Sequence, residues 1–295
     1  MISKLFRWCS HLPLGALHAF GGMLGWLVYI ASPSYRARLR ANAQQAGVDA
    51  AARRRAIGHA GRMVAELPRL WLRPADQPID PPLRWEGAAL IDAALERGRG
   101  LVLMTPHLGC FEVCAQAYAE RWGARVPVTV MFRPARKAWL RDVMDASRMR
   151  PGLATAAASL AGVRQMMRAL RRGETVGLLP DQVPPEGMGV WAPFFGRDAY
   201  TMTLAARLIE QTGAQALLIY GERLPRAKGW RVRVQELPEP LPAGATSDEA
   251  HQVACAAAIN RSMEYLIRQC PQQYLWGYHR YKSPRRLPAA QPGVA

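Results

Sequence analysis

Residues 100–112 read GLVLMTPHLGCFE, and this short stretch decides the fold. The run 100–105 contains no charged residue, as expected of a strand that is buried on both faces of a sheet. Thr105 and Pro106 indicate that a helix begins soon afterwards, which places His107 in the turn between strand and helix. Reactive groups in open α/β sheets gather at the carboxyl ends of the strands. His107 is therefore the first candidate for a functional residue.

Strand and helix patterns alternate along the chain on both sides of this stretch. Short apolar or alternating runs predict further strands at 83–86, 127–132, 175–179, 216–220 and 230–235. Helical periodicity predicts helices at 34–72, 88–97, 111–122, 137–149, 162–172, 203–213 and 250–269. Such alternation is typical of an α/β fold. We therefore predict a mixed, largely parallel sheet that is flanked by helices.

The N-terminal segment has the composition of a membrane anchor. Residues 12–31 contain no Asp, Glu, Lys or Arg, and about 20 apolar residues are enough to span a bilayer. Basic residues lie on both sides of this segment, which favours a helix that enters an anionic membrane surface only shallowly. We predict a membrane-anchoring helix within residues 1–33. A buried core helix and a cleaved signal peptide stay open as alternatives.

The remainder of the chain divides into three parts. Residues 34–82 form a helical, arginine-rich region and a Pro-rich linker, and residues 83–282 form the α/β domain that contains His107. The arginines of the first part are either a solvated face or a surface that contacts lipid phosphates. Residues 283–295 are rich in Pro and Ala, which predicts a disordered tail.

The charge balance narrows the choice of partners. The chain carries 39 basic and 22 acidic residues, a formal net charge of +17, so anionic partners are expected. The basic residues are scattered and no nucleic-acid-binding motif is present, which argues against nucleic acid. An anionic lipid surface and anionic substrates are the alternative that we favour.

The five cysteines do not predict a disulfide framework. Their number is odd and they form no CxxC pair, so reduced and mostly buried thiols are the simpler interpretation. Cys110 and Cys114 lie close to His107, but these positions do not match a standard zinc-binding spacing. We predict neither a metal nor another cofactor.

His107 and Glu112 have the right chemistry for a catalytic pair. On an ideal helix, residues five apart are rotated by about 140°, so a hydrogen bond between them requires His107 to lie in the preceding loop. Gly109 would permit the tight path that brings His107 back towards Glu112. Glu112 would then orient the imidazole, and His107 would deprotonate a substrate hydroxyl. Alternatively, Glu112 is only a first-turn charge that the helix dipole favours.

The sequence around His107 resembles the late acyltransferases of lipid A biosynthesis. These belong to the wider group of glycerolipid acyltransferases that share an H-x4-D/E motif. HLGCFE at 107–112 provides that motif, and the likeness covers nearly the whole chain. The other matching segments are MFRP at 131–134, GLLPDQ at 177–182, VWAPFFG at 190–196, TMT at 201–203 and QYLWGYHRYK at 273–282. Cys110 and Phe111 differ from the Asn and Trp that the family commonly has in these positions.

The resemblance implies a glycerolipid acyltransferase-like fold and a specific reaction. An acyl chain would pass from acyl-acyl carrier protein to a hydroxyl of a lipid A precursor, an anionic glycolipid. The enzyme would lie at the inner (cytoplasmic) membrane with its active site facing the cytoplasm. His107 and Glu112 would be catalytic, while Arg133, near the active site, and Asp181, at a second acidic position, would be substrate-binding residues.

Several residues and two other functions stay open. Arg197 is a candidate phosphate-binding residue. Arg133 could instead form a surface salt bridge, and Asp181 could instead simply cap a turn or pair with an arginine. The acceptor could instead be a lysophospholipid or an ornithine lipid. The remaining alternative is a basic membrane-binding protein without catalytic activity.

Overall fold

The computed structural model describes residues 2–132, 150–244 and 248–286. Within these residues the strands form a seven-stranded sheet and a separate two-stranded sheet. The strands are β1 (Arg84–Glu86), β2 (Leu101–Met104), β3 (Val128–Phe132), β4 (Leu153–Ala157), β5 (Thr175–Leu178), β6 (Gly189–Phe194), β7 (Arg197–Met202), β8 (Gln215–Arg223) and β9 (Trp230–Gln235).

Helices surround the larger sheet and precede it in the chain. They are α1 (Ile2–Ser10), α2 (Leu14–Ala31), α3 (Pro33–Gln45), α4 (Ala50–Ala65), α5 (Leu67–Trp71), α6 (Ala88–Glu96), α7 (Phe111–Trp122), α8 (Leu160–Arg171), α9 (Leu204–Thr212) and α10 (Glu249–Gln269). Two short 3₁₀ turns follow at Pro225–Ala227 and Pro271–Gln273.

The order of the large sheet is β1-β9-β8-β2-β5-β3-β4, with β2 near its centre. All neighbouring strands are parallel except β8 and β9, which form an antiparallel pair. The predicted fold class, a mixed and largely parallel sheet flanked by helices, is therefore confirmed. Since β2, β5 and β8 run in the same direction, the segments that follow them meet at one edge of the sheet, which we call the carboxyl edge.

Successive residues of β2 belong to two different cores. Leu101 and Leu103 pack into the cluster on one face of the sheet, whereas Val102 and Met104 pack into the cluster on the other face. This alternation follows from the two-residue period of a strand. The uncharged run that predicted a strand buried on both faces therefore has a direct physical explanation, because each face is covered by helices.

A glycine-rich contact joins α2 to α4. A Cβ atom on Gly61 would overlap the carbonyl oxygen of Gly21 and crowd Gly25, so the two helix backbones touch here. The opposite face of α2 stays exposed, and its large apolar side chains recur at helical spacing. These side chains are Phe20, Met23, Leu27 and Ile30, each between 52% and 66% exposed. By length and composition alone, α2 could cross a membrane, and a third of it is buried.

We expect Gly61→Ala to destabilise the α2–α4 contact. The added methyl group has no room, so the helices must separate, at a cost of about 1–3 kcal/mol typical of overpacking. Chemical denaturation in neutral detergent would measure this change. Gly58→Ala is a matched control one turn earlier on α4, because its Cβ would meet its nearest neighbour, Gly22, at an ordinary 3.7 Å. Equal stabilities of the two variants would contradict the close backbone contact.

The structure contains elements that the sequence pattern did not predict. Helix α1, strand β4 and the β6–β7 hairpin are additional, and the region 34–72 consists of three helices rather than one. The predicted helix at 137–149 lies outside the described residues, as does the part of the predicted disordered tail beyond residue 286.

Candidate active site

His107 lies in a loop that is held at the carboxyl edge of the sheet. Strand β2 ends at Met104, and the loop reaches α7 at Phe111. Gly109 has φ 59°, and a Cβ atom there would overlap the carbonyl oxygen of Gly221 on β8. Only glycine combines this left-handed conformation with such a close approach. Gly109 therefore does form a tight turn in this loop, but the carboxylate that His107 reaches is Asp181 and not Glu112.

The C-terminal segment fixes the other side of the loop. The Gly109 N–H donates to the carbonyl oxygen of Gln273 at 3.0 Å, and the Leu275 N–H donates to that of His107 at 3.1 Å. These two bonds flank an antiparallel bridge between Leu108 and Tyr274. The His107 backbone is thus held by a segment that is distant in sequence, which restricts the positions open to its imidazole.

Asp181 is the hydrogen-bonding partner of His107. The Nδ1–H of His107 donates to Oδ1 of Asp181 at 2.7 Å, and the His107 backbone N–H donates to Oδ2 at 2.9 Å. The Tyr274 hydroxyl also donates to Oδ2, at 3.2 Å. Asp181 follows β5, the strand next to β2, so the order of the sheet brings the two side chains together. Three donors satisfy a carboxylate that is only 2% exposed.

Electrostatics keeps Asp181 ionised. Burial by itself would raise the pKa of this carboxyl, but the charge and hydrogen bonds of His107 hold the pKa below its usual value. Burial and the nearby Asp181 charge raise the pKa of Tyr274 well above its ordinary value, so the phenol remains a donor. The imidazole therefore faces a permanent negative charge on its Nδ1 side.

Gln182 lies against the other ring nitrogen. Its side-chain amide nitrogen is 3.0 Å from Nε2 of His107, and an amide N–H can only donate there. The two contacts together select one tautomer, with the proton on Nδ1 and a lone pair on Nε2. Phe111 covers the ring, with 4.8 Å between the two ring centroids. A neutral imidazole in this state is a general base that is ready to accept a proton at Nε2.

Glu112 is near this loop but makes a different contact. Its Oε2 accepts a hydrogen bond from Nε1 of Trp71 at 3.1 Å, and its side chain lines a cavity of about 60 Å³ together with Phe111 and Met131. Among the described residues, the carboxylate that hydrogen-bonds His107 is Asp181, so the structure gives Asp181 the orienting contact that was expected of Glu112. The difference has a simple cause, because Glu112 points from the first turn of α7 whereas Asp181 faces the loop from the adjacent strand end.

The two remaining predicted site residues are Arg197 and Arg133. Arg197 begins β7 on the exposed hairpin, and its guanidinium lies over the Tyr281 ring at 4.7 Å from the centroid. Arg133 lies outside the described residues.

A buried ionic network supports the His107 loop from behind. Glu66 is fully buried and receives hydrogen bonds from His18 at 2.6 Å, from Trp230 at 3.3 Å, and from Arg223. Arg223, at the end of β8, also donates to the carbonyl oxygen of Gly109 at 2.6 Å. The network therefore connects α2 and the end of α4 with the loop.

The sequence patterns did not predict this network, because no local motif indicates it. Glu66 and Arg223 are far apart in the chain. Glu66 follows an arginine-rich helix, and nothing in the neighbouring sequence indicates which arginine it pairs with. Gln182 and Tyr274 lie in motifs that were recognised, but without an assigned contact. A search for carboxyl-edge residues after each parallel strand would have added Gln182 to Asp181, which was already a candidate.

The cysteines near the site are buried. Cys110 and Cys114 are buried free thiols whose pKa values are raised by burial first, and then by Glu66 and Glu112 respectively. A separate cluster joins α9 to α10. Within the described residues, potential ligand atoms of Glu210, His251 and Cys255 lie within 4.8 Å of one another. His251 and Glu210 form a 2.7 Å hydrogen bond, which accounts for this contact between the two helices.

The fold and the site define a class: an α/β protein whose carboxyl edge presents a histidine that is hydrogen-bonded to a buried aspartate. Comparisons with known proteins give the family. A model of the bacterial lipid A biosynthesis acyltransferase family matches residues 4–283, so the chain belongs to that family.

Curated relatives are similar over a smaller part of the chain. The lipid A biosynthesis palmitoleoyltransferase of Escherichia coli (strain K12) is 26% identical over 199 residues, which are 67% of this chain and 61% of the relative. The lauroyltransferase of the same strain is 26% identical over 193 residues, 65% of this chain and 59% of the relative. A lipid A biosynthesis acyltransferase of Haemophilus influenzae is 23% identical over 190 residues, 64% of this chain and 56% of the relative. The chain thus spans about three-fifths of the length of these relatives.

Proposed function

We propose that this protein is an acyltransferase that moves a fatty acyl chain from acyl-acyl carrier protein to a hydroxyl of a lipid A precursor. The observation that carries the proposal is the position of His107, whose Nδ1 lies 2.7 Å from Oδ1 of Asp181 and whose Nε2 lies 3.0 Å from the Gln182 amide nitrogen. Membership of the family supports the choice of acceptor, since the relatives are named for lipid A biosynthesis. The net charge of +17 favours both an acidic carrier protein and an anionic acceptor.

In the proposed reaction the acceptor supplies the nucleophile. Its hydroxyl takes the place of the Gln182 amide at Nε2 of His107 and gives up its proton there. The oxygen attacks the thioester carbonyl carbon, the carbon–sulfur bond breaks, and the leaving thiolate recovers the proton from His107. The Asp181 carboxylate stabilises the imidazolium that exists between these two proton transfers. No serine or cysteine of the enzyme has to form an acyl intermediate.

Glu112 is the second acidic residue of the proposed site. Its charge lies in the first turn of α7, directly after the loop, and favours the protonated imidazole during transfer. We also keep Arg133 and Arg197 as proposed substrate-binding residues, with a guanidinium positioned for a phosphate or a developing oxyanion.

The proposed location is the inner membrane, with the site facing the cytoplasm. The exposed apolar face of α2 supports contact with lipid, and the neighbouring arginines of α3 and α4 support an anionic surface. An acceptor that is itself a lipid requires contact with a membrane.

Mass spectrometry of lipid A tests the proposal in a host that lacks its own late acyltransferases. The wild-type chain should add one acyl group, and Glu112→Ala should slow the addition by about 10²-fold, in the range of removed acid–base or electrostatic groups. Glu96→Ala is the matched control, because Glu96 is an exposed carboxylate at the end of α6. If lipid A is unchanged while a lysophospholipid or an ornithine lipid gains an acyl chain, the proposed acceptor is wrong. No change in any lipid, despite good expression, would favour the non-catalytic alternative.

A further inference from the structure

A second, larger cavity opens on the β8 side of the His107 loop. Its volume is about 670 Å³, and it lies between α2, α4 and the turn that joins β8 to β9. Its lining is strongly basic. The basic side chains that line it are His18, Arg55, His59, Arg62, Arg223 and Arg226.

Most of this positive charge is not neutralised. Among the described residues, no carboxylate oxygen lies within 4.0 Å of a side-chain nitrogen of Arg55, Arg62 or Arg226. Arg223 pairs with Glu66. The acidic residue in the lining, Glu222, lies within 4.0 Å of two arginines of β9. The cavity therefore has a net excess of cationic groups.

The titration of neighbouring groups reflects this excess. Burial first, and then the charges of Arg223 and Arg62, lower the pKa of His59 to about 3. Burial and Arg223 also lower the pKa of Arg62. The electrostatic repulsion between these cationic groups decreases when an anion binds between them.

The rim of the cavity has an unusual backbone. Arg226 and Ala227 are consecutive non-glycine residues with φ 55° and 54°, in the left-handed region. Each such residue costs on the order of 1 kcal/mol or more, and residues of this kind cluster at ligand-binding sites. Here the conformation holds an exposed arginine at the cavity mouth.

The surroundings indicate what kind of anion fits. Gln273 lines the cavity and also accepts the hydrogen bond of Gly109 in the His107 loop, so cavity and loop share one wall. Helix α2 contributes His18 to the lining and carries the exposed apolar face beyond it. A ligand with a negative head and apolar chains satisfies both surfaces.

We infer that this cavity binds a phosphate group carried by a lipid, and that in the reaction the phosphate belongs to the glycolipid acceptor. Arginine guanidinium groups bind phosphate oxygens through paired, charge-assisted hydrogen bonds. Binding there anchors the acceptor beside the loop while its hydroxyl reaches Nε2 of His107. The assignment to the acceptor rests on the proposed function, whereas the phosphate chemistry rests on the cavity alone.

The experiment compares two double variants with equal loss of charge. Arg55→Gln with Arg226→Gln removes two unpaired cavity arginines. Arg164→Gln with Arg168→Gln is the control, because both arginines are exposed on α8, outside the cavity lining. Binding of phosphatidic acid to the purified full chain is titrated in neutral detergent micelles. The cavity variant should bind about tenfold more weakly, a change of about 1.4 kcal/mol, and the control should bind like wild type.

A kinetic arm identifies the source of the phosphate. With the phosphorylated lipid A precursor as acceptor, the cavity variant should show a rise in KM that is larger than its fall in kcat. After phosphatase treatment of the precursor, the cavity variant and wild type should have the same KM. Weaker phosphatidic acid binding without this KM effect would assign the cavity to a bilayer phospholipid. Unchanged binding in the cavity variant, or an equal loss in the control, would overturn the inference. If wild type acylates no precursor, the proposed function fails, and the binding arm still decides the question of the cavity.

Discussion

Asp181→Asn should lower kcat by about 10³- to 10⁴-fold with little change in fold, as expected when a base histidine is held in the wrong tautomer. An asparagine amide can donate to Nδ1, which forces the single proton of the neutral ring onto Nε2. That nitrogen then has no lone pair for the acceptor hydroxyl. The charge that stabilises the imidazolium is lost at the same time. Initial rates with purified enzyme and acyl-acyl carrier protein would measure the effect.

Two further variants make the Asp181 result specific. Asp198→Asn is the matched control, because Asp198 is an exposed carboxylate on the β6–β7 hairpin. Tyr274→Phe removes one of the three donors to Asp181 and should cost much less than Asp181→Asn. A near wild-type rate for Asp181→Asn, with circular dichroism unchanged, would show that Asp181 does not set the tautomer of His107. Glu112 would then be the better candidate for the partner carboxylate.

Arg223→Met should destabilise the protein by about 3–5 kcal/mol, the range found when one member of a buried ion pair is removed. Glu66 would be left fully buried without its main counter-charge, and the carbonyl oxygen of Gly109 would lose a donor. Chemical denaturation in neutral detergent measures the free energy of unfolding. The double variant Glu66→Gln with Arg223→Met should recover much of the loss, since no buried charge is left unpaired.

The pH dependence of stability separates this effect from simple loss of packing. In wild type, burial would raise the pKa of Glu66, but Arg223 and His18 hold it below its usual value. The stability from Glu66 is therefore present above the unfolded pKa and is lost as pH falls through the folded pKa. In Arg223→Met the folded pKa is raised instead, so acidification towards the usual carboxyl range should reduce the deficit. A deficit that is independent of pH would contradict the role of the Glu66 charge.

The order of secondary structure could be predicted where each strand carries its own apolar run. The run 100–105 is long and uncharged because β2 lies between two cores, so its sequence needs no partner to be recognised. Strand β4, with the sequence LATAA, has small residues and an interrupted burial pattern. Its identity as an edge strand depends on pairing with β3, which is a long-range contact.

Prediction of the site was limited by the same distinction between local and long-range contacts. His107 was recognised because strand, turn and helix start are all local features. The spacing of the H-x4-E motif suggested Glu112 as its hydrogen-bonding partner, but Asp181 makes that contact because β5 lies beside β2 in the sheet. The order of parallel strands is not written in any single segment. The basic cavity likewise depends on α2, α4 and the β8–β9 turn coming together.

The pairing of the His107 loop with the segment around Tyr274 has a consequence for biosynthesis. A ribosome makes α2 long before it makes the segment around Tyr274, so α2 can form while that segment does not yet exist. The loop cannot be secured until the residues around 273–275 have left the exit tunnel. The His107 loop therefore takes its final position only after the segment around Tyr274 has been made, and a chain that stops before this segment lacks the contacts that hold His107.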